Sequence, residues 1–191
     1  MTGQALNLKG VNLYLVGLMG VGKTTVGRLL AKKLNYHFFD TDSVIEQLMG
    51  QSVTEIFATA GEPEFRRLES QVLSELSAYK NLAIATGGGI VLERLNWSYL
   101  HHGLVVWLDV PVQQLHARLK PSTSRPLLQH GDQLTRLQEL LEQRRSLYEQ
   151  ADVQVTVAAN ETAEQVATRV LGEIPKVLRP EALAPQNGIS S

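Results

Sequence analysis

The stretch GLMGVGKT, residues 17–24, decides how the rest of this chain is read. It satisfies the spacing G-x-x-x-x-G-K-[S/T] in full. Before it stands VNLYLV (11–16), an apolar, β-branched run that reads as a buried strand, and after it KTTVGRLLAKKL (23–34), with helical spacing. Strand, glycine loop and helix are the context in which the motif has a physical reason. Gly17, Gly20 and Gly22 let the backbone turn so that successive N–H groups face inward. The helix N-terminus adds partial positive charge. Lys23 is placed to bridge the β- and γ-phosphates of a nucleoside triphosphate, and the Thr24 hydroxyl to ligate Mg²⁺. Gly20, Val21, Gly22, Lys23, Thr24 and Thr25 are the candidate nucleotide-binding residues. The plainer reading, a glycine turn with a chance lysine, does not explain why the whole motif falls between a strand and a helix.

Working outward, further short strands are expected at YHFF (36–39), LAIAT (82–86), LVVWLDV (104–110) and DVQVTV (152–157). Helices are expected at 62–78, with Pro63 in the first turn, after Pro111, over 132–150, and after Thr162. Ser52 with Glu55, and Thr162 with Gln165, have the spacing of helix-capping pairs. The polar, proline-punctuated segment KPSTSRPLLQHG (120–131) reads as an exposed loop, and the tail as disordered. Strands alternating with helices argue for an α/β fold, a parallel sheet covered on both faces and closed by right-handed crossovers. The strand at 36–39 is expected beside the strand that carries the glycine loop.

The 191 residues suffice for one compact domain. A net charge of −1 gives no field to recruit nucleic acid or a membrane surface, so cationic groups must act locally. The absence of cysteine excludes disulfide and thiolate chemistry and fits a reducing compartment. No apolar run has the length of a signal peptide core or a membrane span, so the expectation is a cytoplasmic protein, or a plastid one without its transit peptide. His37, His101, His102, His116 and His130 form no metal-ligand spacing.

A phosphate cradle does not name an acceptor. Candidates for that side lie elsewhere. In FFDTD (38–42), Asp40 and Asp42 are expected to share a face at the end of a strand. One acid would sit toward magnesium through water, and the other would take the proton of an acceptor hydroxyl. The competing reading is that one of them merely caps the next helix. Gly87, Gly88 and Gly89 follow a strand, where backbone N–H groups can approach a ligand closely. Arg66, taken alone, reads as half of a surface ion pair with Glu69 at i+3. Of Arg144 and Arg145, one should face water. Arg125 in the polar loop suggests a lid that closes over the phosphates and excludes water.

Together these stretches resemble the shikimate kinase family over roughly residues 11–160. The resemblance is carried by GLMGVGKTTVGRLLA, FFDTD, IFATAGEPEFRRLE, TGGG, RPLL and RRSLYEQAD, in that order. It implies a three-layer P-loop kinase fold like that of the nucleoside monophosphate kinases: a central parallel sheet of about five strands, helices on both faces and a mobile lid. The domain would span 1–175, the lid about 120–131, with 176–191 as the tail. It implies ATP-dependent phosphorylation of the shikimate 3-hydroxyl on the route to chorismate. It also assigns residues. Asp42 would bind the shikimate hydroxyls and act as general base, with Asp40 on the magnesium side. Arg66 and Arg144 would hold the carboxylate, helped by a backbone N–H near Gly88. Arg125 would reach the phosphates from the lid, and Arg118 would lie along the adenine. Arg144 is chosen over Arg145 because it stands four residues before Tyr148. ATP and Mg²⁺ are the implied cofactors, shikimate the small-molecule partner, and a monomer the expected state. The rivals are another small-molecule kinase, such as a gluconate kinase-like enzyme, and a P-loop binding module without turnover.

Overall fold

A computed structural model describes residues 8–119 and 133–178; residues 1–7, 120–132 and 179–191 lie outside the described residues. The lid segment with Arg125, and all of the tail beyond 178, therefore fall outside them.

Five short strands alternate with helices. They are β1 (Leu13–Val16), α1 (Lys23–Leu34), β2 (His37–Asp40), α2 (Thr41–Met49), α3 (Val53–Thr59), α4 (Gly61–Ser77), β3 (Leu82–Ala85), α5 (Arg94–Leu100), β4 (Leu104–Asp109), α6 (Val112–Leu119), α7 (Gln133–Tyr148), β5 (Val153–Thr156) and α8 (Ala163–Val177). A 3₁₀ turn, Ile90–Leu92, precedes α5. The strands form one sheet in the order β2-β3-β1-β4-β5, and every pairing is parallel. Every residue of β1 and β3 is buried. Successive side chains point to opposite faces, so both faces of the central strands are covered, as the apolar runs require. α1 packs on β3, β2 and α8, while α4 packs against α2, α3 and α5.

One expectation fails here. β2 does not lie beside β1; β3 intervenes, and β2 is an edge strand whose residues are all at least partly exposed. The sequence LAIA can be buried on both faces, whereas HFFD carries a histidine and an aspartate at its ends. Burying the second in mid-sheet would cost more, so the polar-ended strand takes the edge.

Both capping pairs form. Glu55 N–H donates to Ser52 Oγ at 3.3 Å while Ser52 N–H donates to the Glu55 carboxylate at 2.7 Å. Thr162 and Gln165 repeat the exchange at the start of α8, which continues through Val177. At the opposite end of the sheet from the glycine loop, buried Asn12 joins three strands. Its amide donates to Tyr79 O at 2.8 Å and accepts from Leu82 N–H at 3.0 Å, and its carbonyl accepts from Leu104 N–H at 2.8 Å. Among the described residues no helix is long and apolar enough to cross a membrane.

Candidate active site

The C-terminal ends of β1, β2 and β3 carry the chemistry, as expected for an open parallel sheet. After β1 the chain makes a tight loop into α1. Gly22, the residue before that helix, sits at φ 102°, a conformation that side chains other than glycine rarely adopt. The loop closes around its own lysine: Lys23 Nζ donates to Gly17 O and Leu18 O, both at 2.8 Å. Val21 and Lys23 are buried, and Thr25 is exposed on the first turn of α1.

β2 ends at Asp40, and α2 starts at the next residue. Asp40 and Asp42 therefore do not share the face of a strand. Asp40 is the N-cap of α2: its Oδ1 accepts from Asp42 N–H at 3.1 Å and Ser43 N–H at 3.4 Å. Its other oxygen accepts from the Thr24 hydroxyl at 2.6 Å, which ties β2 to the glycine loop. Asp40 therefore caps α2, as the competing reading had it, while its second oxygen faces the start of α1. Asp42, the second residue of the helix, points elsewhere.

It points into a cavity of about 370 Å³. Met19 of the glycine loop, Asp42 and Glu46 of α2, Phe57 of α3, Phe65, Arg66 and Glu69 of α4, Gly87–Gly89 and Arg144 line it. This volume suits one small molecule. Burial, with Asp40 adding repulsion, pushes the Asp42 carboxyl up from its ordinary 3.8 to about 6; Lys23 and Arg66 oppose the shift. Its Oδ1 is buried with no hydrogen-bond partner. Glu69 is more deeply buried, and burial raises it to about 7 despite Arg66; Asp42 pushes the same way.

The Arg66–Glu69 pair is not a surface pair. Glu69 is 1% exposed and Arg66 9%. Arg66 Nη1 donates to Glu69 Oε2, and Nη2 donates to Glu62 Oε1 at 2.8 Å. Glu69 is the site residue that the i+3 reading missed. It stands four after Phe65 and three before Val72, both buried, so it lies on the core stripe of α4. That periodicity was the available signal. The adjacent Arg67, by contrast, faces solvent and pairs with Glu64 at 2.6 Å.

The glycine turn fits because nothing else would. A Cβ on Gly87 would lie 2.0 Å from Glu69 Oε1 and 3.0 Å from Asp42 Oδ1, and one on Gly89 2.2 Å from Arg66 Nη1. Gly87 N–H donates to the buried Thr41 hydroxyl at 3.0 Å. Arg144, 4% exposed, donates from Nη1 to Gly88 O at 3.0 Å. Arg145 is exposed, with its guanidinium 6.0 Å from the Trp107 ring centre. The structure thus brings Asp42, Arg66, Gly87, Gly88, Gly89 and Arg144 to one cavity beside the glycine loop. Asp40 stays on the loop side, and Arg118 is exposed near the end of α6. Arg125 lies outside the described residues.

The family model described as shikimate kinase matches residues 19–175. A shikimate kinase of Nostoc sp. is 59% identical over 175 residues, 92% of this chain and 97% of that protein. The structure of shikimate kinase from Acinetobacter baumannii in complex with shikimate superposes with a TM-score of 0.83 at 39% identity, covering 88% of this chain and 95% of that one. A gluconokinase from Sinorhizobium meliloti, at 16% identity and a TM-score of 0.55 over 90% of this chain and 95% of that one, shares the fold alone. With the motifs in order, the sheet topology and near-complete coverage by these relatives all agreeing, the chain belongs to the shikimate kinase family.

Proposed function

We propose that the cavity seats shikimate with its carboxylate on Arg66 and Arg144 and its 3-hydroxyl at Asp42, in line with a γ-phosphate held by the glycine loop. The reaction is that of the family: phosphate passes from ATP to a shikimate hydroxyl. One observation carries the assignment of parts. A single cavity joins a buried carboxylate whose proton affinity is raised to about 6 with two buried arginines, and reaches the phosphate loop at Met19. The arginine forks match a planar carboxylate. Asp42 accepts the hydroxyl proton as the oxygen–phosphorus bond forms and the bond to the ADP oxygen breaks. Lys23 sets positive charge against the transferring group. Catalysis here is positioning and charge stabilisation more than covalent chemistry.

Thr24 Oγ1 and Asp40 Oδ2, 2.6 Å apart, are hard oxygen donors of the kind Mg²⁺ takes. Among the described residues no group of three or more His, Cys, Asp or Glu side chains offers a metal cage, so phosphates and water would complete the shell. Bound there, the metal would neutralise charge on the phosphates. Arg125 is assigned to the lid over them and Arg118 to the adenine side. The chain is read as a cytoplasmic monomer; sedimentation at micromolar concentration should give the mass of one chain.

The test is ADP release from Mg-ATP with shikimate, gluconate, a nucleoside monophosphate or no acceptor. Release that requires shikimate and is lost in Asp42→Asn supports the assignment. Full shikimate-dependent release from Asp42→Asn removes Asp42 from the proton transfer.

A further inference from the structure

The carbonyl of Gly88 accepts from two side chains of α7 at once. Tyr148 Oη donates to it at 2.6 Å and Arg144 Nη1 at 3.0 Å. The two donors are four residues apart, on one face of the helix. Tyr148 is wholly buried, and its ring stacks on Trp107 of β4, with centres 5.7 Å apart and planes at 23°. Trp107 in turn abuts the phosphate loop: its Cδ1 lies 3.4 Å from where a Cβ on Gly17 would stand. Gly88 touches the same loop from the other side, since a Cβ there would lie 3.3 Å from Met19 N and 3.5 Å from Gly17 O. Tyr148 thus closes a ring of contacts from the phosphate loop through Trp107 and Gly88 back to the phosphate loop.

The rest of the glycine turn is fixed by elements other than α7. Gly87 N–H is held by Thr41, Gly87 O accepts from Ile90 N–H at 3.2 Å, and Gly89 O accepts from Leu92 N–H at 3.0 Å. Only the Gly88–Gly89 peptide takes its orientation from Tyr148 and Arg144. A carbonyl oxygen has two lone pairs, and here each has a donor.

We propose that Tyr148 is a positioning residue for the acceptor: its hydroxyl locks the Gly88 carbonyl and the Arg144 guanidinium into one unit, set against the phosphate loop before shikimate arrives. This rests on the reading that Arg144 holds the carboxylate. With the phenol in place, Arg144 shares the Gly88 carbonyl with Tyr148, sits against the phenol, and lines the cavity. With the phenol gone, Arg144 is left to serve a half-buried carbonyl without its second donor and is drawn toward it, away from the carboxylate. Burial raises the Tyr148 phenol to about 12, so it remains a donor across the neutral range.

Tyr148→Phe keeps the ring and its stack on Trp107 and removes only the donor. Dissociation constants for shikimate and for its carboxamide analogue, and KM for ATP, are measured on the intact enzyme. The expected result is a shikimate Kd raised about tenfold, with the carboxamide Kd and the ATP KM within about twofold of wild type. An unchanged shikimate Kd, or an equal rise for shikimate and carboxamide, overturns the proposal. So does an equal rise for shikimate and ATP, which marks Tyr148 as a purely structural residue. Should Tyr148→Phe not fold, Trp107→Phe loosens the backing while leaving the phenol; because Trp107 also abuts the phosphate loop, the ATP KM is expected to rise too, and the shikimate Kd to rise more than the carboxamide Kd, while equal rises for shikimate and carboxamide overturn the proposal. Arg144→Lys separates the two readings. If it weakens shikimate and carboxamide equally, the carboxylate assignment falls and the role of Tyr148 with it. If it discriminates and Tyr148→Phe does not, only the role of Tyr148 falls.

Discussion

The proposed reaction asks Asp42 to be a base in a place that resists its charge. Burial and Asp40 lift its carboxyl to about 6, and an acceptor proton can be taken only when Asp42 is ionised. The shikimate kcat/KM should therefore fall as pH drops below about 6, with a single acid limb that Asp42→Asn abolishes along with transfer. Stability runs the other way. In the folded chain Asp42 and Glu69 hold protons to about 6 and 7, above their ordinary 3.8 and 4.5, so the native state binds more protons than the unfolded one in that window. Their contribution to stability is greatest at low pH and is lost as pH rises through it. Asp42→Asn should then be more stable than wild type at pH 8, by roughly 2–4 °C in Tm for each kcal/mol relieved, and the advantage should shrink at pH 5. Calorimetry at the two pH values decides it; an equal or lower Tm at pH 8 would mean that the charge is well solvated. At this scale the sequence was most readable where residue type and spacing carry the physics, as in the glycine loop between β1 and α1; Asp42 was singled out over Asp40 only by the family resemblance. The sequence was least readable for Glu69, whose charge suggested solvent while its helical position put it in the core.

α2 shows how an element places two acids with two tasks. Because the helix starts at Thr41, its cap residue Asp40 faces the phosphate loop, and its second residue, Asp42, faces the cavity. Thr41 between them is fully buried and accepts the Gly87 N–H, so the start of α2 also holds the glycine turn. Thr41→Val keeps the volume and removes the acceptor. It should cost about 1–3 kcal/mol, since a buried N–H is left without a partner. Urea unfolding checks this, and a change below about 0.5 kcal/mol would show that water or a backbone shift satisfies Gly87. Helix starts with side-chain caps, at Ser52 and Thr162, were legible because the signal is local. The neighbour of β2 was not, because strand order is set by which strand can be buried on both faces, a comparison across the whole chain. α2 itself was disguised: FFDTD looks like one strand end, and only the Asp40 cap shows that the chain turns there.

Across the whole molecule, the cavity gathers residues from α2, α3, α4 and α7 and from the turns after β1 and β3. None of these elements forms the site alone. The segment between α6 and α7 carries Arg125 and is the one assigned to shield the phosphates from water. Arg125→Ala should slow transfer by about 10²-fold or more and raise the ratio of ATP hydrolysis to shikimate phosphorylation. Equal rates in a coupled assay would take Arg125 out of the mechanism. The sheet order has a further consequence. β1, which ends in the phosphate loop, pairs with β3 and β4, Leu13 lying against Ala83 on one side and Leu104 on the other. As the chain leaves a ribosome at roughly 5–20 residues per second, its first strand waits several seconds for either neighbour. Until β4 emerges the phosphate loop has no frame, so ATP cannot steady the nascent chain. The earliest motif to be synthesised is thus among the last to work.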